Sequence, residues 1–254
     1  MAKQQCGLCG KKGVKLVESH VIPRAFYRDI TNPDRPFKLL SDDANVFPKT
    51  SRTGVYDRIV CIDCERLFGP WDDYVSGLLF RNIPDGKTGT NTDQLTLYYS
   101  NFDRHKLRMF FLSLLWRAHA SDQDFFSAVD VGPHSASIAE ALLTNDPNKA
   151  KEVDVLLTIF ATEMTSGFLC PIRERNDYFN CYRFCFPGFS CLIKVDQRPF
   201  TGSWKHFGIN NSDKIYLLVR SFQDSPEFAA LREAALTVLR RGKDPWGREL
   251  EWTK

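Results

Sequence analysis

The sequence contains no run of apolar residues long enough to cross a membrane, and its first residues lack the pattern of a signal peptide. A strong charge of either sign is also missing, because 34 Lys and Arg residues against 31 Asp and Glu residues leave a formal net charge of +3. This balance by itself says little about nucleic-acid binding. No internal repeat is visible, which argues against a repeat architecture. We expect a cytoplasmic protein with no membrane partner.

The 254 residues are enough for one large domain or two, and a hydrophobic content of 43% allows a substantial core. Charge is unevenly distributed, because the first 28 residues are rich in Lys and Arg and carry one acid, Glu18. We expect basic residues of this segment to line one side of a hairpin and a first helix and to contact nucleic-acid phosphates. The residues assigned to this role are Lys11, Lys12, Lys15, Arg24 and Arg28.

Two CxxC pairs, Cys6 with Cys9 and Cys61 with Cys64, stand at the two ends of a short polar segment. A tetrahedral zinc ion takes four ligands, and each CxxC turn supplies two thiolates at the right spacing. Glycine beside the first pair lets its turn fold tightly. The spacing therefore predicts one structural Zn²⁺ on these four cysteines. Redox-active or buried cysteines are the alternative.

The remaining four cysteines lie in the second half of the chain: Cys170, Cys181, Cys185 and Cys191. They lack zinc-knuckle spacing. We expect buried free thiols, because cysteine is among the most buried residue types. A second metal site is the alternative.

The two halves of the chain differ in their predicted secondary structure. The first half predicts short strands, a short helix over 24–30, and a longer helix over 63–80 that is interrupted near Gly69 and Pro70. Residues 84–92 are rich in Gly, Asp, Thr and Asn and indicate a boundary between a module over 1–83 and a mixed α/β domain of unknown role over 93–254. Helices predicted in the second half cover 103–120, 135–144 and 226–241, and strands cover 153–162, 167–172, 178–186, 189–195 and 214–219.

Residues 6–73 carry two further motifs beside the cysteines. The run Glu18-Ser19-His20-Val21-Ile22-Pro23 resembles the acid-His-Ile-Ile-Pro segment of the HNH (ββα-metal) endonuclease superfamily in its four-cysteine zinc form. The run from Cys61 to Asp73 resembles the second knuckle and following helix of that family. The chain as a whole is similar to bacterial proteins that pair this head with a mixed α/β tail. The resemblance implies an α+β fold, in which a small zinc-bound treble-clef (ββα) module precedes a domain of helices and antiparallel sheet.

The resemblance also implies catalytic roles. His20 takes the place of the family's general base, which deprotonates a water for attack on a phosphodiester. Asp73, with its neighbour Asp72, takes the place of a ligand to a catalytic Mg²⁺ or Mn²⁺ ion that is separate from the zinc.

Two positions depart from the family's pattern. The family's second metal ligand falls on Ser19, and serine is a poor ligand for magnesium compared with a carboxylate. Glu18 could replace it only if the strand is bulged, because neighbouring side chains on a strand otherwise point to opposite faces. The family's asparagine falls on Glu65.

Two classes of function follow. The first is an HNH-like metal-dependent endonuclease that hydrolyses phosphodiester bonds in DNA or RNA, as a toxin or phage-defence effector with an antitoxin or another protein as partner. The second is a non-catalytic zinc module that binds nucleic acid or a protein. In this second class His20 caps a loop by hydrogen bonding a backbone carbonyl, and Asp72 and Asp73 are solvated helix acids.

Overall fold

The computed structural model describes residues 4–30, 37–41, 49–81, 87–91, 94–160, 167–175, 179–210, 213–240 and 242. Over these residues the chain is mixed α+β and contains four α-helices. This confirms the α+β part of the predicted fold class, while the zinc-bound treble-clef form of the first module stays a prediction. In the described part of the chain, no helix has both the length and the apolar character that spanning a bilayer requires.

In the first third of the chain, short strands surround the two CxxC turns and a long helix follows them. The strands are β1 Gln4–Gln5, β2 Lys12–Val14, β3 Leu16–His20, β4 Phe37–Leu40, β5 Lys49–Ser51 and β6 Tyr56–Cys61, and the helix is α1, Ile62–Arg81. A 3-10 helix over Arg24–Ile30 matches the predicted short helix. β3 pairs with β6 in antiparallel orientation and α1 begins directly after β6, so the chain starts with a ββα-like arrangement.

Helix α1 is continuous, although the sequence predicted an interruption at Gly69 and Pro70. Proline inside a helix removes one backbone hydrogen bond, and here Pro70 is exposed. Another face of the helix buries an apolar stripe at helical spacing: Phe68, Trp71, Val75 and Leu79. Burial of this stripe outweighs the local cost of the proline, so the helix continues.

The rest of the chain builds eight strands and three helices. Seven of these strands form one sheet, and the other, over Gly167–Leu169, pairs in parallel orientation with β4. The strands are β7 Lys87–Asn91, β8 Gln94–Tyr99, β9 Val153–Phe160, β10 Gly167–Leu169, β11 Ile172–Arg175, β12 Asn180–Phe186, β13 Phe189–Val195 and β14 Ile215–Arg220, and the helices are α2 Arg104–Ala120, α3 Ser135–Thr144 and α4 Pro226–Arg240. The strand order in the sheet is β11-β12-β13-β9-β14-β8-β7. Neighbours are antiparallel except β14 with β9, which run parallel, so the sheet is mixed rather than wholly antiparallel.

Part of the predicted boundary is a strand. Residues 87–91 form β7, the edge strand that pairs with β8, while residues 84–86 and 92 lie outside the described residues. β7 could not be predicted from its sequence because it is polar and contains glycine, and an edge strand is held by its backbone hydrogen bonds. The neighbouring β8 was not predicted either. The division of the chain into two domains at this segment stays a prediction.

One buried cluster contains residues from both predicted parts of the chain, including Cys6 and Phe68 from the first and Phe110 and Trp116 from α2. Helix α2 is buried along most of its length, as its apolar sequence predicted. Asp103 caps its N-terminus by accepting a hydrogen bond from the backbone N–H of Lys106 at 3.0 Å. The ββα-like segment therefore rests directly on α2.

Candidate functional site

The four cysteines of the two CxxC pairs lie together at the start of the fold. Their sulfur atoms all lie within 4.8 Å of one another. The Sγ atoms of Cys6 and Cys64 are 3.7 Å apart, and those of Cys9 and Cys61 are 3.9 Å apart. Four sulfurs placed about 2.3 Å from a central zinc ion would be about 3.8 Å from one another. The cluster therefore fits a tetrahedral metal ion, consistent with the predicted structural zinc.

Backbone hydrogen bonds shape the first CxxC turn and hold it next to the second. The N–H of Gly10 donates to the carbonyl of Cys6 at 2.9 Å, and Gly10 has a φ of 70°, which favours glycine. The N–H of Gly7 donates to the carbonyl of Ile59 at 2.9 Å and so fixes the first turn to the strand that leads into the second. A Cβ on Gly7 would lie 3.6 Å from the Trp116 ring, so the first turn also packs against α2.

The thiols differ in electrostatics. Burial raises the pKa of Cys6. Hydrogen bonds to its sulfur from backbone N–H groups, including that of Cys61 at 3.3 Å, have the opposite and larger effect, so that the pKa is lowered to about 7. Burial raises the pKa of Cys64. A bound cation would favour the thiolate form of each.

His20 ends β3, opposite Tyr56 on β6. Its Nε2 lies 3.1 Å from the backbone carbonyl of Thr53, and the two rings of His20 and Tyr56 meet edge to face with centroids 5.8 Å apart. A carbonyl oxygen can only accept, so Nε2 carries the proton. In the neutral imidazole the lone pair is then on Nδ1.

The residues before His20 do not supply a second metal ligand in this geometry. Ser19 is 0% exposed, and its Oγ has no hydrogen-bond partner among the described residues. The β3–β6 register shifts between Val17 and Ser19, so the bulge that Glu18 would need is present nearby. Glu18 nevertheless points to solvent and pairs with Arg58 at 3.0 Å, where both side chains are exposed.

A cleft of about 530 Å³ lies beside His20. Helix α1 forms one wall with residues that recur at helical spacing: Glu65, Gly69, Asp72, Asp73 and Ser76. The segment around the 3-10 helix and the loop before β6 form the other wall with Pro23, Arg24, Ala25, Tyr27, Arg52 and Thr53, and α2 contributes Arg117. The cleft thus combines an imidazole, carboxylates and guanidinium groups.

The two candidate metal ligands on α1 differ in environment. Asp73 is exposed and lines the cleft. Asp72 also lines it, but both of its carboxylate oxygens accept hydrogen bonds from Arg117, at 2.8 and 3.0 Å. Burial raises the pKa of Asp72, and the charge of Arg117 opposes this rise. Asp72 is therefore engaged in an ion pair, whereas Asp73 faces the cleft.

Glu65 adds a carboxylate that the sequence analysis treated only as a departure from the family's pattern. It lines the cleft, and its Oε2 is buried without a hydrogen-bond partner within the described ranges. Among the described residues, however, only the four cysteines form a group of three or more metal-type ligands close enough to share an ion. A second cation would need oxygen ligands from water or a substrate in addition to Asp73 or Glu65.

The predicted basic residues divide into two groups. Lys11, Lys12 and Lys15 are exposed on and beside β2, and Arg24 is exposed at the rim of the cleft. The side chain of Arg28 lies outside the described residues. Arg52, which the sequence analysis did not select, lines the cleft together with Arg24.

The other four cysteines are buried, as expected: Cys170, Cys181, Cys185 and Cys191. Burial raises the pKa of Cys181 to about 12, and it also raises the pKa values of Cys185 and Cys191. Raised values keep thiols protonated and unreactive at neutral pH.

The geometry of the cysteine cluster and the cleft is the basis for assigning a function to this chain. Comparisons of the chain with known protein families, with curated proteins and with solved structures find no match.

Proposed function

We propose that the chain is an HNH-like metal-dependent endonuclease that hydrolyses phosphodiester bonds in nucleic acid. The observation that carries this proposal is the hydrogen bond from His20 Nε2 to the carbonyl of Thr53 at 3.1 Å, in the wall of a cleft lined by arginines and carboxylates. This bond fixes the imidazole and leaves Nδ1 as the proton acceptor. A fixed, partly exposed imidazole is the group that a general base requires.

The reaction follows from this assignment. His20 Nδ1 takes a proton from a water molecule, and the water oxygen forms a new bond to phosphorus. The bond between phosphorus and the leaving oxygen breaks, and the leaving oxygen departs with the bonding electron pair and takes a proton from solvent water. Asp73 would hold a Mg²⁺ or Mn²⁺ ion, and that ion would stabilise charge on the phosphate and the leaving oxygen. The residues present fit such an ion, because magnesium is commonly held by one or two carboxylates and completed by substrate phosphate and water.

The guanidinium groups of Arg24 and Arg52 supply the charge for substrate binding. Both line the cleft that holds His20. Arginine suits phosphate because its planar fork can donate two parallel hydrogen bonds. The exposed Lys11, Lys12 and Lys15 would add positive charge beside the cysteine cluster, where the N–H of Cys6 donates to the carbonyl of Lys11 at 3.0 Å.

A second candidate function is a non-catalytic zinc module that binds nucleic acid or a protein. The engagement of Asp72 by Arg117 favours it, because this leaves fewer carboxylate oxygens for a cation. The hydrogen bond of His20 to Thr53 also fits a structural histidine that fastens the loop before β6.

Divalent-cation dependence separates the two functions. We expect the purified chain to cleave DNA or RNA when Mg²⁺ or Mn²⁺ is added, and Asp73→Ala to lose this activity, with partial recovery at high Mn²⁺. The matched control is Asp63→Ala, because Asp63 is an exposed acid on the same helix and is not among the residues lining the cleft. No cleavage of either nucleic acid with any divalent cation would favour the zinc module, whereas equal cleavage by the two variants would contradict the metal-binding role given to Asp73.

A further inference from the structure

Arg117 is a charged residue buried inside the apolar helix α2. Its side chain is 1% exposed. It lies 36 residues beyond the end of α1, outside the segment that resembles a nuclease. Its guanidinium nevertheless lines the cleft beside His20.

The five N–H groups of this guanidinium all have acceptors. Nη1 donates to the backbone carbonyl of His20 at 2.8 Å and to Asp72 Oδ2 at 3.0 Å. Nη2 donates to Asp72 Oδ1 at 2.8 Å and to Ser113 Oγ at 3.1 Å, and Nε donates to the carbonyl of Ser113 at 3.3 Å. The ring of Phe68 lies 4.8 Å from the guanidinium carbon. One side chain therefore ties the end of β3, helix α1 and helix α2 together.

These contacts reach the two parts of the cleft that carry the proposed chemistry. The bond to the carbonyl of His20 holds the backbone from which the imidazole projects. The bonds to Asp72 hold the turn of α1 that also bears Asp73. A lysine could not reproduce this pattern, because its ammonium has three donors and no planar fork.

Stability alone is a weak reason for such a group. The desolvation cost of a buried ion pair offsets much of its attraction, and well-packed apolar residues in its place are often as stable. Orientation of a reacting group is a better reason, because small displacements of such a group strongly reduce the rate.

We propose that Arg117 is a positioning residue of the catalytic cleft, so that the part of the chain after the ββα-like segment completes the site by fixing His20 and the Asp72–Asp73 turn. This inference rests on the proposed nuclease function. It gives the second part of the chain a role in the reaction itself. The residue acts through His20 and α1 and makes no contact with substrate in this account.

The test uses the full chain and a matched pair of substitutions, Arg117→Lys and Arg183→Lys. Arg183, on β12, is also a buried arginine in an ion-pair network. Its partners are Glu227 of α4, at 2.8 Å, and Glu174 of β11, and it is not among the described residues lining the cleft. Both variants retain charge and both disturb a buried network. Thermal stability and zinc content are measured for each, and kcat and KM are measured well below the lower melting temperature.

We expect Arg117→Lys to lower kcat by about 10- to 100-fold with KM unchanged, because the substrate contacts remain and only the reacting geometry is disturbed. Arg183→Lys should keep the wild-type kcat. Asp72→Asn, which removes the charge with little change of shape, should resemble Arg117→Lys and provides the same information if Arg117→Lys fails to fold. A wild-type kcat in both Arg117→Lys and Asp72→Asn, or an equal loss in Arg183→Lys, would overturn the inference.

Failure of this inference can be told from failure of the proposed function. If wild type cleaves, His20→Ala does not, and Arg117→Lys keeps the wild-type kcat, only the positioning role is wrong. If no chain cleaves, the nuclease function is wrong. If His20→Ala cleaves as well as wild type, the HNH-like mechanism with His20 as general base is wrong. The positioning role falls in both cases.

Discussion

The guanidinium of Arg117 and the carboxylate of Asp72 form a two-point ion pair between α2 and α1, with N–O distances of 2.8 and 3.0 Å. The pair joins residues that are 45 positions apart in the sequence. It gives Asp72 a partner that the sequence analysis did not foresee. Asp73, the next residue, is the acid that remains exposed to the cleft.

Breaking this pair should be costly. Asp72→Ala leaves the buried charge of Arg117 without its partner, so we expect a loss of about 3 kcal/mol in the free energy of unfolding. Urea denaturation measures it. Glu18→Ala is the control, because the Glu18–Arg58 pair is exposed and should contribute no more than about 1 kcal/mol. Similar losses in the two variants would contradict the structural role given to Arg117.

The cysteine cluster should hold one zinc ion per chain. Cys61→Ser removes one of four ligands, and we expect loss of zinc and unfolding of the ββα-like segment, because metal-binding free energy is part of its folding free energy. Metal analysis and circular dichroism measure both. Cys191→Ser, at a buried thiol outside the cluster, should keep the zinc. A chain that folds without zinc, or keeps it after Cys61→Ser, would argue against the site.

Ser19→Asp introduces the acid that the resemblance to HNH nucleases would place at this position, but the structure predicts a loss of stability. The Ser19 side chain is fully buried and its Oγ has no hydrogen-bond partner in the described part of the chain. A carboxylate placed there would be desolvated, and we expect a cost of at least ~2 kcal/mol. Melting temperatures with and without Mn²⁺ measure it. Increased cleavage by the Ser19→Asp chain would show instead that this position can reach a catalytic cation.

Binding of nucleic acid should depend steeply on salt if Lys11, Lys12, Lys15 and Arg24 contact phosphates. For a duplex, each lost phosphate contact should reduce the slope of log K against log salt by about 0.9. Fluorescence anisotropy with Lys12→Gln measures this change. Lys151→Gln, at an exposed lysine far along the chain, should leave the slope unchanged. Salt-insensitive binding, or no binding at low salt, would point to a protein partner.

How much the sequence could predict depends on the range of the interactions. The CxxC spacing of Cys6 and Cys9 is a local pattern that fixes two ligands within one turn, and it identified the cluster. The continuity of α1 through Pro70 was missed because tertiary burial of Phe68 and Trp71 decides it. The edge strand β7 was missed because its composition is that of a loop.

The role of Arg117 was also missed because its partners are distant in the sequence. From sequence alone, an arginine near the C-terminal end of a helix is expected to be solvated and to interact favourably with the helix dipole. Nothing local indicates that its partners are the carbonyl of His20 and the carboxylate of Asp72. An arginine inside the sequence DRHKLRMFFLSLLWRAHA, with apolar residues before it, is nevertheless a signal that such a partner exists.

The cleavage rate of His20→Ala tests the central claim most directly. The control is His105→Ala, because His105 bonds Asn145 at 2.9 Å and is not among the described residues lining the cleft. With zinc content and melting temperature matched to wild type, we predict that His20→Ala lowers the rate of Mg²⁺- or Mn²⁺-dependent cleavage by about 10²–10⁴-fold while His105→Ala does not. A His20→Ala chain that cleaves at the wild-type rate would contradict the account.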